Sequence, residues 1–200
     1  MSATSEHVHR YDDGITRCRW PGKDELYIAY HDEEWGVART GDDEMFERIA
    51  LEGFQAGLSW ITILRRREEF RKVFKNFEVA KVVKMTERDV EKLMLNAGII
   101  RNRAKILATI NNAKLIQQLQ RDGESISDIV WSFAPPANKR TPAAQNFEWR
   151  ATSPESDALS KHLRKLGFSF VGSTTMYALM QATGFVNDHA PGCFRREQLR

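Results

Sequence analysis

Two hundred residues, 42% hydrophobic and 28% charged, describe one ordinary globular domain or two small lobes sharing a core. No apolar run approaches the roughly 20 residues of a membrane-spanning helix, and the polar opening MSATSEHVHRYDDG lacks the profile of an export signal, which places the chain in the cytoplasm. A net charge of +3 permits a nucleic-acid partner without demanding one, so any phosphate-binding face must come from local clustering.

In chain order, residues 1–17 read as a disordered polar tail, with His7 and His9 as an H-x-H pair of the kind tails carry by chance. Thr40 and Asp43 resemble a capping box, and Met45, Phe46, Ile49 and Ala50 follow as a helical stripe. LEGFQAGLSW (51–60) then breaks the apolar pattern with a carboxylate, two glycines and an indole. A carboxylate withdrawn from water costs several kcal/mol unless something pairs with it. Glu52 therefore caps a helix, meets a buried arginine, or waits for a ligand; Trp60 is either plain core or the wall of a pocket. Phe70, Val73, Phe74 and Phe77 recur at helical spacing, while Arg65-Arg66-Arg67, followed by Glu68-Glu69, reads as a solvated helix face.

Thr86 and Asp89 repeat the capping signature ahead of Val90, Leu93, Met94 and Ala97, and Gly98 stops that helix. A second helix carries Ile106, Ile110 and Ala113. The turn between them, within a helix pair spanning about 86–120, offers backbone N–H groups to an anion, with Arg101, Arg103 and Lys105 around it. Helix–hairpin–helix modules grip a DNA phosphate in this way, and an ordinary helical hairpin with a solvated basic turn fits the spacing equally well. Four of six prolines fall between Pro135 and Pro154, which marks a loop over about 134–154. Ser153-Pro154 opens a helix with Leu159, Leu163 and Leu166, closed by Gly167, and a last helix runs over about 173–184. Residues 195–200 form a basic tail. FSFV (168–171) is too short to build a sheet, so the fold class is all-α.

Twelve residues separate Cys18 from His31, and three separate His189 from Cys193. Two thiolates and two imidazoles suit a closed tetrahedral Zn²⁺ site, and four protein ligands would make that ion structural, since a catalytic zinc keeps a water position. An end-to-end disulfide or two idle core thiols are the plainer readings, the disulfide being disfavoured in a reducing compartment.

CRW (18–20), LYIAYHDEEWG (26–36), LEGFQAGLSW (51–60), AGIIRNRAKI (97–106), VWSF (130–133), SDALSKHLRKLGFSFVG (156–172) and VNDHAPGC (186–193), in this order, resemble the 3-methyladenine DNA glycosylase I family. The resemblance covers about 18–194. It implies a helix–hairpin–helix DNA repair fold with one structural zinc ion joining the N- and C-terminal segments through Cys18, His31, His189 and Cys193. It carries the base-binding roles to Glu52, Tyr30 and Trp60, with Trp20 and Trp35 as further pocket wall, and Glu52 also as the catalytic candidate. Gly57 and Leu58 match the loop that approaches the gap left by an extruded nucleotide, while Gly98, Arg101 and Arg103 fall in the hairpin. Phe54 stands where some relatives carry a polar residue, a difference that would reshape the loop or pocket rim. Related helix–hairpin–helix glycosylases use an aspartate downstream of the hairpin; Asp122, Glu124 and Asp128 lie in that region without an assigned task.

The implied activity is extrusion of N3-alkylated adenine from double-stranded DNA and hydrolysis of its glycosidic bond by a monomer. A carboxylate at Glu52 and an indole at Trp60 suit a cationic purine. The matched pocket motifs hold no lysine for a Schiff base, so the product is an abasic site without strand cleavage. A non-catalytic, zinc-stabilised nucleic-acid-binding module is the competing reading, and Glu52, Tyr30 and Trp60 standing together argue against it.

Overall fold

A computed structural model describes residues 6–145 and 147–199. Among them are eleven α-helices and one two-stranded sheet, in agreement with the all-α expectation. The chain divides into two compact units. One takes residues up to Ala38, Ala134–Ala151 and everything from Met180; the other takes Arg39–Phe133 and Thr152–Leu179. Among the described residues no helix is long and apolar enough to cross a membrane.

In the first unit, β1 (Val8–Arg10) pairs antiparallel with β2 (Thr16–Cys18), Val8 lying opposite Cys18. This corrects the expectation of a disordered tail over 1–17: residues 1–5 lie outside the described residues, but 6–17 form a hairpin. Three residues per strand are too few for alternation to register in a sequence. What holds the hairpin is tertiary, with Val8 buried and the His7 ring edge-on to Phe147 and Trp149 at 5.5 and 5.1 Å. His9 rests against Tyr11. Helix α1 (Glu25–Glu33) starts where the Asp24 carboxylate accepts the Tyr27 N–H, and it buries Tyr30 and His31. The loop over 134–154 is largely irregular, yet it is anchored by buried Phe147 and by Trp149 Nε1 donating to the Asp188 carbonyl at 3.0 Å.

In the second unit, α2 (Asp42–Gln55) begins after Gly41 rather than at a Thr40 cap. Asp42 is drawn away to accept from Ser125 Oγ and the Ser127 N–H, and Asp43 from the Val79 N–H. The helix continues through Gln55, so Glu52 lies inside its last turns and not in a break. Helices α3 (Trp60–Leu64) and α4 (Arg67–Val73) follow. Phe54, Phe70, Phe74 and Phe77 are fully buried together, which moves Phe54 from the expected pocket rim into the core. The helical spacing through Phe77 is misleading, because Lys75, Asn76 and Phe77 take φ of 57°, 56° and 54° and turn left-handed.

After α5 (Val79–Val82), α6 (Glu87–Leu95) carries the Thr86/Asp89 capping box and leads through a turn into α7 (Arg103–Arg121). Helix α8 (Ile126–Trp131) and α9 (Pro154–Lys165), the latter capped by Ser153 and Ser156, complete the unit's frame. Helix α10 (Ser173–Ala182) carries the chain back to the first unit. There α11 (Phe194–Gln198) replaces the expected basic tail, because Arg196 is buried and donates to the carbonyls of His189 and Pro142.

Candidate functional site

Cys18 ends β2, His31 lies on α1, and His189 and Cys193 flank the turn before α11. All four side chains are buried, and one ligand atom from each lies within 4.8 Å of every other. His189 Nδ1 is 3.2 Å from His31 Nε2 and 3.5 Å from Cys193 Sγ; Cys193 Sγ is 3.5 Å from His31 Nε2; Cys18 Sγ is 3.8 Å from His189 Nδ1. A tetrahedral ion with bonds of about 2.0 Å to nitrogen and 2.3 Å to sulfur has edges of about 3.3 Å (N to N) and 3.5 Å (N to S). The donor set fits those edges, so the group is shaped to hold a metal ion.

The other ring nitrogens are already engaged. His31 Nδ1 meets Asp32 Oδ1 at 2.7 Å, and His189 Nε2 meets the Trp35 carbonyl at 3.1 Å, which turns Nε2 of His31 and Nδ1 of His189 toward the thiols. Asp32 is held in turn by buried Arg17, whose Nε donates at 2.8 Å, and Arg17 also binds Asp13 in the hairpin turn. Burial pushes the Cys18 thiol up, while Cys18 and the two imidazoles pull Cys193 down. Close packing behind the site depends on Gly184 (φ +76°), where an added Cβ would come within 2.7 Å of the Gly36 carbonyl oxygen. Asp13, Arg17, Asp32 and Arg196 were not legible as functional; only the adjacency of Asp32 to His31 hinted at them.

Trp20, Tyr30 and Trp35 gather in this same unit. The Trp20 ring lies 5.1 Å from Trp35 and 5.3 Å from His31, and Trp35 lies 4.6 Å from His189. The two indoles thus pack directly on the candidate metal-binding imidazoles. Trp20 Nε1 is buried without a hydrogen-bond partner, which leaves one donor for a group from outside the described residues.

In the second unit, Glu52 is 3% exposed and its Oε2 has no hydrogen-bond partner. Burial pushes its pKa up to about 8, and the charge of Arg48, one turn earlier on α2, offsets this only in part. Glu52 neither caps a helix nor is neutralised by an arginine. Its environment instead favours the protonated form. Trp60, at the start of α3, is buried too. Gly57 and Leu58 lie in the exposed loop between α2 and α3. Gly57 has φ +83° with open space where a Cβ would stand, and Leu58 is 42% exposed.

The hairpin differs from its expected wiring. The Gly98 N–H donates to Asn96 Oδ1 at 2.8 Å, and Arg103 is drawn back onto Glu87 and Glu91 of α6. Lys105 does not face the turn at all: it is buried, and its Nζ donates to the carbonyls of Phe54 (2.8 Å) and Ala56 (2.7 Å) at the C-terminal end of α2. Arg101 stays exposed. Asp122, Glu124 and Asp128 are exposed around the α7–α8 junction, Asp122 accepting from Gln118 and the Asp128 N–H donating to Ser125 Oγ.

Comparison with known proteins gives a consistent set of likenesses. A family model described as methyladenine glycosylase matches residues 20–196. The chain is 52% identical over 179 residues to DNA-3-methyladenine glycosylase 1 of Escherichia coli (strain K12), covering 90% of this chain and 96% of that protein. Among solved structures, a crystal structure of 3-methyladenine DNA glycosylase I superimposes with a TM-score of 0.84 at 50% identity, covering 89% of this chain and 98% of that one. A Staphylococcus aureus glycosylase I, described for the structural basis of 3-methyladenine recognition, gives 0.81 at 31% identity, over 90% and 96% of the two chains.

Proposed function

The chain belongs to the methyladenine glycosylase family, and we infer from that premise that it is a DNA repair glycosylase that excises N3-alkylated adenine. The observation that carries the reading is Glu52, a buried carboxyl group with an oxygen left without a partner and a pKa raised to about 8. A folded chain retains such a cost where something outside it completes the pairing.

N3-alkylation puts a positive charge on the purine and makes it a good leaving group. In hydrolysis the C1′–N9 bond breaks, its electron pair neutralises the ring, water bonds to C1′, and a proton is released. The protein need only extrude the nucleotide, recognise the charge and admit water. Glu52, ionised as the cationic ring approaches, accepts from the exocyclic amine and complements the charge. Neutral adenine would impose the same desolvation while offering less in return, which is discrimination by an unmet cost. Trp60 contributes a stacking face, and Tyr30, Trp20 and Trp35 keep the base-binding roles that the family resemblance assigns them.

Cys18, His31, His189 and Cys193 would hold one zinc ion, whose chemistry here is a structural cross-link because all four positions are filled by protein. The substrate is double-stranded DNA, acted on by a monomer, with the exposed loop at Gly57 and Leu58 entering the gap. The product is an abasic site in an intact strand: Lys105 is the lysine of the hairpin motif, and its ammonium is occupied by two backbone carbonyls.

The test is an excision assay on methylated duplex DNA with the released base identified. Wild type is expected to release 3-methyladenine without nicking the strand, and Glu52→Ala to release little. DNA binding without base release by the wild type would instead favour a non-catalytic binding module.

A further inference from the structure

Phe170 belongs neither to the metal-binding group nor to the surroundings of Glu52 and Trp60 named above, and its backbone is held in an unusual way. Its φ is +59°, a conformation costly for a bulky side chain, and the residue is 38% exposed. Among the described residues no other aromatic side chain combines a left-handed backbone with this much exposure. The loop bearing it is not loose. Phe168 and Val171 are buried on either side, and Asn112 of α7 clasps Ser169 through both the N–H and the carbonyl at 3.1 Å. Asn111 donates to the Gly167 carbonyl, and Ser160 of α9 to the Val171 carbonyl at 2.7 Å. A glycine or asparagine would turn this corner at lower cost.

The surroundings link the ring to the DNA-facing loop. Gly53, the residue after Glu52, lies so close that an added Cβ would come within 3.2 Å of Phe170 Cβ. Lys105 Nζ lies 5.8 Å from the Phe170 ring centroid and binds the Ala56 carbonyl, two residues before exposed Leu58. Two exposed apolar side chains, Leu58 and Phe170, therefore stand on separate loops that share one buried anchor. Extrusion of a nucleotide creates two vacancies of different kinds: the gap in one strand and an orphaned, unpaired base in the other.

We propose that Phe170 enters the duplex and stacks on the base orphaned opposite the extruded nucleotide, while the Gly57–Leu58 loop occupies the gap. This rests on the glycosylase reading above. Base–aromatic stacking is sequence-tolerant, which suits a partner base whose identity is fixed only by pairing.

The test uses the full-length protein and two duplexes carrying a tetrahydrofuran abasic analogue, one with thymine opposite it and one with a second abasic analogue opposite it. Phe170→Gly relieves the backbone strain, so its melting temperature is expected to stay within about 4 °C of wild type. Its affinity for the thymine-opposed duplex should fall roughly tenfold, and for the doubly abasic duplex by less than about twofold, because only the former offers a base to stack on. Phe170→Trp should restore the difference. Equal affinities for wild type and Phe170→Gly, equal losses on both duplexes, or a loss that follows a collapse in melting temperature would overturn the proposal. Base release from methylated DNA by the wild type is scored separately, so failure of the glycosylase reading is distinguishable from failure of this one.

Discussion

Glu52 and Lys105 are both buried, and the setting of each has measurable consequences. The Glu52 carboxyl titrates near 4.5 in an unfolded chain and at about 8 when folded. The native state therefore keeps a proton that the unfolded chain has lost, and stability falls as pH rises from about 4.5 to about 8, level below that window and level again, at the full loss, above it. Glu52→Gln cannot ionise, so its melting temperature is expected to exceed wild type by a margin that widens between pH 5 and pH 8. The limiting gain is on the order of 5 kcal/mol, and thermal melts at three pH values would expose a flat or reversed trend. The same variant should lose roughly 10- to 100-fold in kcat/KM, as expected for a charge-assisted hydrogen bond. It should also lose the rise in kcat/KM toward pH 8 that ionisation of the free enzyme imposes, which a pH–rate profile measures. Lys105→Met removes the donor from two carbonyls at the end of α2, a loss of about 1–3 kcal/mol in urea denaturation. That Glu52 sits in an apolar segment was legible, with a cap, an arginine partner or a ligand left open; that Lys105 points inward was not, because a lysine in a basic turn looks the same whichever way it faces.

At the scale of elements, the α6–α7 hairpin shows where spacing succeeds and fails. Its capping box, both helices and the turn were readable, since these are local hydrogen-bond and periodicity signals. The pairing of Arg103 with Glu87 and Glu91 depends on how the two helices come together. Arg101 is exposed, and under the proposed grip of the hairpin on a phosphate Arg101→Ala should weaken DNA binding across sequences and reduce the salt slope by about 1. Arg103→Ala should change that slope less. Binding titrations between low and moderate salt decide between the two arginines, and the opposite order would mean that the Arg103 pairs open on contact with DNA. The left-handed turn at Lys75–Phe77 and the β1–β2 hairpin escaped notice for a related reason: both are short and stabilised mainly by what packs on them.

At the scale of the molecule, two pairs of residues from opposite ends of the chain converge on one buried donor set. If a metal ion occupies it, chelation should lower the melting temperature by several degrees or unfold the first unit, and readdition of zinc should reverse this. Asp32→Ala, which frees the His31 ring, should weaken metal affinity about 10- to 100-fold, measured by competition with a chromophoric chelator. By itself the sequence determined the helical class, the caps at Thr86 and Ser153, the four metal-site candidates, the oddity of Glu52 and, through ordered motifs, the family. All of these are written in local spacing or in residue chemistry that survives without coordinates. Only the tertiary structure decided that the N-terminal residues from 6 onward form a hairpin against the metal site, that Arg196 and Lys105 are internal clamps, and that Phe170 is forced outward. Those outcomes turn on which backbone carbonyls and apolar faces meet across large sequence separations, and no periodicity along one strand of chain encodes such meetings.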